Sequence, residues 1–203
     1  MIENIAWLGH SSFRIAGEKV VYIDPWKLGR AERADIICIT HDHYDHCSPE
    51  DVARLQKKGT VIVTVASCAP QFRGDVRVVK AGDTLKIDGV TIEAVPAYNL
   101  RKPNHPKAAG GVGFIIEMGG SRIYHAGDTD LIPEMEMIRA DIALLPVGGV
   151  YTMTAEEAAQ AAEIIKPQVA IPMHWGDFVG TRADAEKFQR LCTCEVRILE
   201  PEG

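Results

Sequence analysis

An apolar, β-branched run that stops in a knot of histidines constrains this chain more than any other feature. Ile36-Ile37-Cys38-Ile39-Thr40 leads directly into His41-Asp42-His43-Tyr44-Asp45-His46. The run is too short for a helix and rich in β-branched residues, so it predicts a buried strand. In extended backbone, residues two apart share a face, which puts His41 and His43 together. Beyond the strand the chain must turn, and the turn lets Asp45 and His46 aim back at a second point. Imidazoles and carboxylates mixed in this way suit zinc, iron, manganese or nickel better than calcium or magnesium.

The rest of the chain bounds the setting. Its 203 residues, 46% hydrophobic and 25% charged, suffice for one globular domain with a full core. A net charge of −6 without a basic block argues against duplex nucleic acid and leaves a small molecule as the expected partner. No apolar run approaches the ~20 residues of a membrane span, and no basic-then-apolar leader opens the chain. A cytoplasmic protein is therefore expected, with a homo-oligomer left open. The five cysteines are an odd number without a pairing framework, which predicts reduced thiols. Cys47 and Cys192-x-Cys194 read as packing residues rather than ligands. Trp26 and Trp175 read as exposed rings that line a cleft or an interface, or that simply pack near the site.

Periodicity and turn residues predict strands at 5–8, 13–15, 20–24, 35–40, 60–65, 76–79, 84–87 and 90–95. An irregular segment follows at 96–111, then a hairpin of 112–118 with 122–125, and strands at 141–145, 168–173 and 195–199. Ser48-Pro49-Glu50-Asp51 starts one helix, and Thr154 with Glu157 caps another that runs to Ile165. A short helix is expected near 132–138 and a last one over 183–191. Such an α/β (α+β) order favours two sheets with helices outside.

Two further residues bear on the histidine knot. Asp128 follows a strand end across Gly127, where the backbone can turn tightly, and a carboxylate there can face two cations. His174 closes the apolar strand Val169-Ala170-Ile171-Pro172-Met173 and is held by the rigidity of a sheet.

His41-x-His43-x-Asp45-His46, Gly127-Asp128-Thr129 and Pro172-Met173-His174-Trp175 together resemble the metallo-β-lactamase superfamily of metallohydrolases. Gly9-His10-Ser11-Ser12, Ile23-Asp24-Pro25, Tyr124-His125-Ala126-Gly127-Asp128-Thr129 and Leu145-Pro146-Val147-Gly148-Gly149 narrow the likeness. They resemble the small, single-domain branch similar to ascorbate-6-phosphate lactonase and N-acyl-phosphatidylethanolamine phospholipase D. The resemblance covers nearly the whole chain. It implies a four-layer αββα sandwich over residues 1–203, with one or two divalent ions at one edge of the sheets. Zinc is the expected ion, with manganese, iron or nickel as alternatives.

By that resemblance His41 and His43 hold the first ion, Asp45, His46 and His174 the second, and Asp128 bridges them. The family's third histidine for the first ion is missing, because the matching stretch reads Val95-Pro96-Ala97-Tyr98-Asn99. Either Asn99 supplies a carbonyl oxygen or His105, six residues on, reaches in. Asp24 is expected to take the outer N–H of a ligating histidine, and His125 to lie behind the site. His10 is expected to act as a substrate contact or proton donor, or to cap its own turn. Gly148, Gly149 and Thr152 read as a tight turn before a helix rather than as an anion site.

The implied activity is hydrolysis by a metal-bound hydroxide, whose parent water has its pKa lowered toward ~7, with Asp45 orienting the nucleophile. Two divalent ions offset by Asp45, Asp128 and hydroxide leave a positive centre. The expected substrate is a small, anionic phosphodiester, carboxylic ester or lactone. The alternative is a non-catalytic metal-binding or sensor module with a degenerate first site, for which Asn99 is the support.

Overall fold

Apolar runs of four to seven residues set the strands into two sheets. The structure, a computed structural model, describes residues 2–202. The first sheet follows chain order: β1 (Ile5–Gly9), β2 (Ser12–Ala16), β3 (Val20–Ile23), β4 (Ile36–Ile39), β5 (Val61–Thr64) and β6 (Asp75–Val78). Its first three strands pair antiparallel and the rest parallel. Helix α1 (Pro49–Leu55) forms part of the crossover from β4 to β5.

The second sheet is also in chain order: β7 (Thr84–Ile87), β8 (Val90–Pro96), β9 (Val112–Met118), β10 (Ser121–His125), β11 (Ile142–Pro146), β12 (Val169–Met173) and β13 (Glu195–Val196). It begins as hairpins and turns parallel from β10 onward. Helices α2 (Ala155–Ile165) and α3 (Arg182–Leu191) make the parallel crossovers and pack on each other. The two sheets thus share one plan: hairpins first, crossovers later.

Burial follows the pairing. Strands β4, β5 and β11 are buried along their whole length, as strands covered on both faces are. Strand β8 buries Val90, Ile92 and Ala94 in alternation. One continuous core joins both sheets, with Phe13, Tyr22, Phe114 and Tyr124 among its largest fully buried side chains.

The helix ends are those the caps predict. Ser48 accepts from Asp51 N at 3.3 Å with Pro49 in the first turn. The Asp51 carboxylate in turn receives Lys27 N and Leu28 N, pinning the loop that follows β3. Thr154 and Glu157 cap α2 reciprocally, at 3.2 and 2.8 Å.

Four expectations change. The short helix near 132–138 is a 3-10 turn, Pro133–Met137, too brief to recover the cost of α-nucleation. The last strand stops at Val196, because the chain then leaves the sheet and Glu202 N bonds Trp7 O at 2.8 Å. Trp26 and Trp175 are buried rather than exposed, and Trp175 lies against Trp7 with ring centroids 4.7 Å apart. The stretch from His41 to His43 is not extended, and the expected turn toward Asp45 and His46 begins there, as described below. The five cysteines are free. No helix among the described residues is long and apolar enough to cross a membrane.

Candidate metal centre

The loops after β4, β8, β10 and β12 meet at one edge of the sandwich. Three of these strands end there in parallel pairing, and the loop beyond the carboxyl end of a parallel strand is where an open α/β sheet places its ligands. Past Ile39 the chain bends at once: His46 N and Cys47 N both bond His43 O, at 3.0 and 2.8 Å. His41 and His43 still meet, with ring centroids 4.7 Å apart, but across this turn rather than along a pleat.

Donor atoms from the four loops converge. His174 Nε2 is 3.0 Å and His105 Nε2 3.3 Å from Asp128 Oδ2. His46 Nε2 is 3.4 Å from Asp128 Oδ1 and 3.6 Å from Asp45 Oδ2. His105 Nε2 faces His43 Nδ1 at 3.1 Å. Around an ion bonded at about 2.1 Å, neighbouring donors stand about 3.0 to 3.4 Å apart. The atoms fall into three compact groups: His41, His43 and His105; His41, His46 and Asp128; and His10, Asp45, His46 and His174.

A ring of backing residues sets the histidine tautomers. Thr40 Oγ1 gives its proton to Asp24 Oδ2 at 2.6 Å, so it can only accept from His41 Nδ1–H at 2.9 Å. His46 Nδ1–H donates to the same Asp24 oxygen at 2.7 Å. His105 Nδ1–H donates to Asn99 Oδ1 at 3.0 Å. In each ring the outer nitrogen carries the proton, which leaves Nε2 with a lone pair toward the centre. His41 Nε2, His46 Nε2 and Asp128 Oδ1 are buried and without a hydrogen-bond partner among the described residues. Buried polar atoms are rarely left so, and a divalent cation is the partner this donor set fits.

The charges agree. Burial holds the His41, His105 and His10 imidazoles below their ordinary range, so their lone pairs are free at neutral pH. Burial works against ionised Asp128, but His174 and His46 outweigh it and keep the carboxyl well below the usual range. Burial also opposes the His46 imidazolium, and Asp128 and Asp24 overcome it and raise that group. The negative charge of Asp24 and Asp128 that favours a proton there is the charge that would favour a cation beside Nε2.

The predicted residues sort as follows. His41, His43, Asp45, His46, Asp128, His174 and His105 come together. Asn99 does not join them with a free oxygen. Its Oδ1 accepts twice from His105, at N and Nδ1, and its NH₂ donates to Asp130 Oδ1 and Tyr151 O. His10, expected at the substrate or in its own turn, lies inside the cluster and donates Nε2–H to Asp45 Oδ2 at 3.0 Å. His125 faces away: its Nε2–H bonds Ser11 O at 2.8 Å and its Nδ1 accepts from Gly127 N at 3.1 Å. Gly148 is needed for close approach, since a Cβ there would stand 2.5 Å from His174 O and 3.1 Å from His174 Nδ1. The backing roles of Thr40 and Asn99 were missed, because nothing in their spacing marks them.

Known proteins place the chain. The family profile for the β-lactamase superfamily domain matches residues 4–174, and the chain belongs to that family. Within it stand the UPF0173 metal-dependent hydrolases, and one from Thermoplasma acidophilum is 37% identical over 98% of this chain and 95% of its own length. A solved structure from Parabacteroides distasonis superposes with a TM-score of 0.88 at 34% identity, over 98% of this chain and 93% of its own. Igni18, a metallo hydrolase from the archaeon Ignicoccus hospitalis, gives a TM-score of 0.81 at 28% identity, over 98% and 95%. The fold is the metallo-β-lactamase αββα sandwich, and the chain is a metal-dependent hydrolase with a His/Asp cluster able to bind metal.

Proposed function

We propose that the whole chain acts as one hydrolase unit that cleaves a carboxylic ester, lactone or phosphodiester with one or two bound divalent ions, zinc first. His41, His43 and His105 would hold one ion and Asp45, His46 and His174 the other, and Asp128, whose oxygens face His46 on one side and His105 and His174 on the other, would serve both. When bound, such ions lower the pKa of water and stabilise charge on a substrate oxygen.

The chain's own residues do the rest. Asp24, Thr40 and Asn99 fix which nitrogen His41, His46 and His105 present. His10 holds Asp45 Oδ2 by its Nε2–H, which aims the carboxylate and leaves a proton carrier one bond from the nucleophile's side of the cleft. Burial holds the His10 imidazole below its ordinary range, so the ring stays neutral and keeps Nε2–H on Asp45 at neutral pH. The reading as a non-catalytic module drew on Asn99, and His105 in that place removes its support.

The observation that carries this reading is that His41 and His46 keep Nε2 bare toward the centre while Nδ1 of each is tied from behind. The test is elemental analysis of the purified protein, then assay with a panel of lactones and with bis(p-nitrophenyl) phosphate. Bound zinc is expected, with hydrolysis of one substrate class that chelation removes and added zinc restores. Turnover that survives complete metal removal would sink the reading.

A further inference from the structure

The mouth of the centre is aromatic and carries no cationic side chain. A cleft of ≈ 310 Å³ is lined by His43, Asp45, His105, Asp128 and His174 at its floor and by Tyr44, Tyr151 and Phe178 higher up. Tyr44 is 69% and Phe178 45% exposed, although most large apolar side chains of this chain are buried. The two rings lie nearly parallel, 28° apart with centroids at 6.3 Å, and Trp26 meets both edge-on. His10 packs against Phe178 at 4.9 Å, so this wall is continuous with the donor cluster. Among the described residues lining the cleft none is lysine or arginine. Lys27, whose ammonium lies 4.1 Å over the Trp26 ring, pairs with Asp177 at 3.0 Å, and Lys102 pairs with Asp130 and Thr152 O; neither lines the cleft.

We infer that the substrate places its reacting ester or phosphodiester on the floor and an aromatic or similarly planar apolar group against Tyr44 and Phe178. This rests on the hydrolase reading above and narrows it. Charge decides between the candidates: a second phosphate or carboxylate on the substrate, held away from the floor, would find neither a guanidinium nor an ammonium among the residues lining the cleft. A planar group gains contact area and ring stacking there instead. The expected substrate is therefore apolar away from its reacting group, not multiply anionic.

The test pairs ligands that differ only in the ring. Binding of benzylphosphonate and methylphosphonate to the zinc-loaded protein is measured by calorimetry, with 2-carboxyethylphosphonate as the charged control. Benzylphosphonate should bind about tenfold more tightly than methylphosphonate, the scale of one stacked and buried ring. The carboxylate should bring no gain. Phe178→Ala, from a different loop than the histidine run, and Tyr44→Leu should each shrink the ring's advantage while zinc content stays unchanged.

Turnover is read on benzyl and methyl p-nitrophenyl phosphate, which share a leaving group, and on γ-phenyl and γ-methyl butyrolactone. Equal or undetectable binding of the two phosphonates overturns the inference, as does a gain from the carboxylate or an advantage that persists in both variants. If Phe178→Ala changes only the sedimentation of the protein and not these affinities, the wall joins copies of the chain and the inference fails. Ring preference in binding without any turnover would spare the inference and overturn the hydrolase reading instead.

Discussion

The first sheet delivers its donors in one stretch, His41 to His46, on the single loop after β4. The second sheet delivers three, each alone on its own loop: His105 after β8, Asp128 after β10 and His174 after β12. The backing differs in the same way. Asp24, at the end of β3, serves the first loop as a hub. It receives Thr40 N, Thr40 Oγ1 and His46 Nδ1, and through Thr40 it also sets His41. On the other side the two histidines have private arrangements: Asn99 for His105, and a missing side chain at Gly148 that gives His174 room. A compact loop with one buried carboxylate behind it can orient several ligands at once. Dispersed ligands need a separate device for each, and those devices are what a single sequence hides.

If both sides are needed equally, removing one donor from either should stop the chemistry. Asp128→Ala and His46→Ala are each expected to reduce hydrolysis to background, measured on whichever substrate of the panel the wild type turns over. Activity retained in one but not the other would show that the two sides are not equivalent. The hub sharpens the contrast further. Asp24→Asn and Asn99→Ala should each weaken zinc binding, by about 10- to 100-fold for a backing residue, read by competition with a chromogenic chelator. Asp24→Asn should cost more, because it unsettles two histidines where Asn99→Ala unsettles one. An equal loss would mean that Thr40 orients His41 without Asp24.

His125 offers a test away from the donors, where the sheets meet. Its ring is neutral, donating to Ser11 O and accepting from Gly127 N, and burial lowers it below the ordinary 6.5. The folded protein thus refuses a proton that the unfolded chain binds below that value. Stability is unaffected above it and falls as pH drops beneath it. Urea unfolding of the metal-free protein at about pH 7.5 and about pH 5.5 should show the loss. His125→Gln should reduce it, leaving the same-sign contributions of His10, His41 and His105 and the opposite one of His46, all of which the variant shares with the wild type. A pH dependence unchanged in the variant would assign the effect wholly to the donor cluster. Smallest of all, Thr154→Ala removes the α2 cap and should cost about 1 kcal/mol of stability, with no change in zinc affinity, because α2 contributes no donor.

Much of the fold was legible because its signals are local. Pro49 after Ser48, and Glu157 three residues after Thr154, state where helices start, and the alternation in Val90-Thr91-Ile92-Glu93-Ala94 states a half-buried strand. Strand edges moved by a residue or two. The real misses came where tertiary contacts overrode local pattern, as in the 3-10 turn at Pro133–Met137 and the chain end that docks on Trp7.

By itself the sequence determined the class of chemistry. Six contiguous residues hold three imidazoles and two carboxylates at a strand end, and residue type and spacing are all that such a donor run requires. Only the tertiary structure decided that His105, not Asn99, faces the centre, and that His10 sits on Asp45. Only it showed Tyr44 and Phe178, 134 residues apart, forming one wall. Those outcomes turn on which loops the two sheets bring to a shared edge, and on which nitrogen each neighbour leaves unprotonated. Neither is written in the order of the residues.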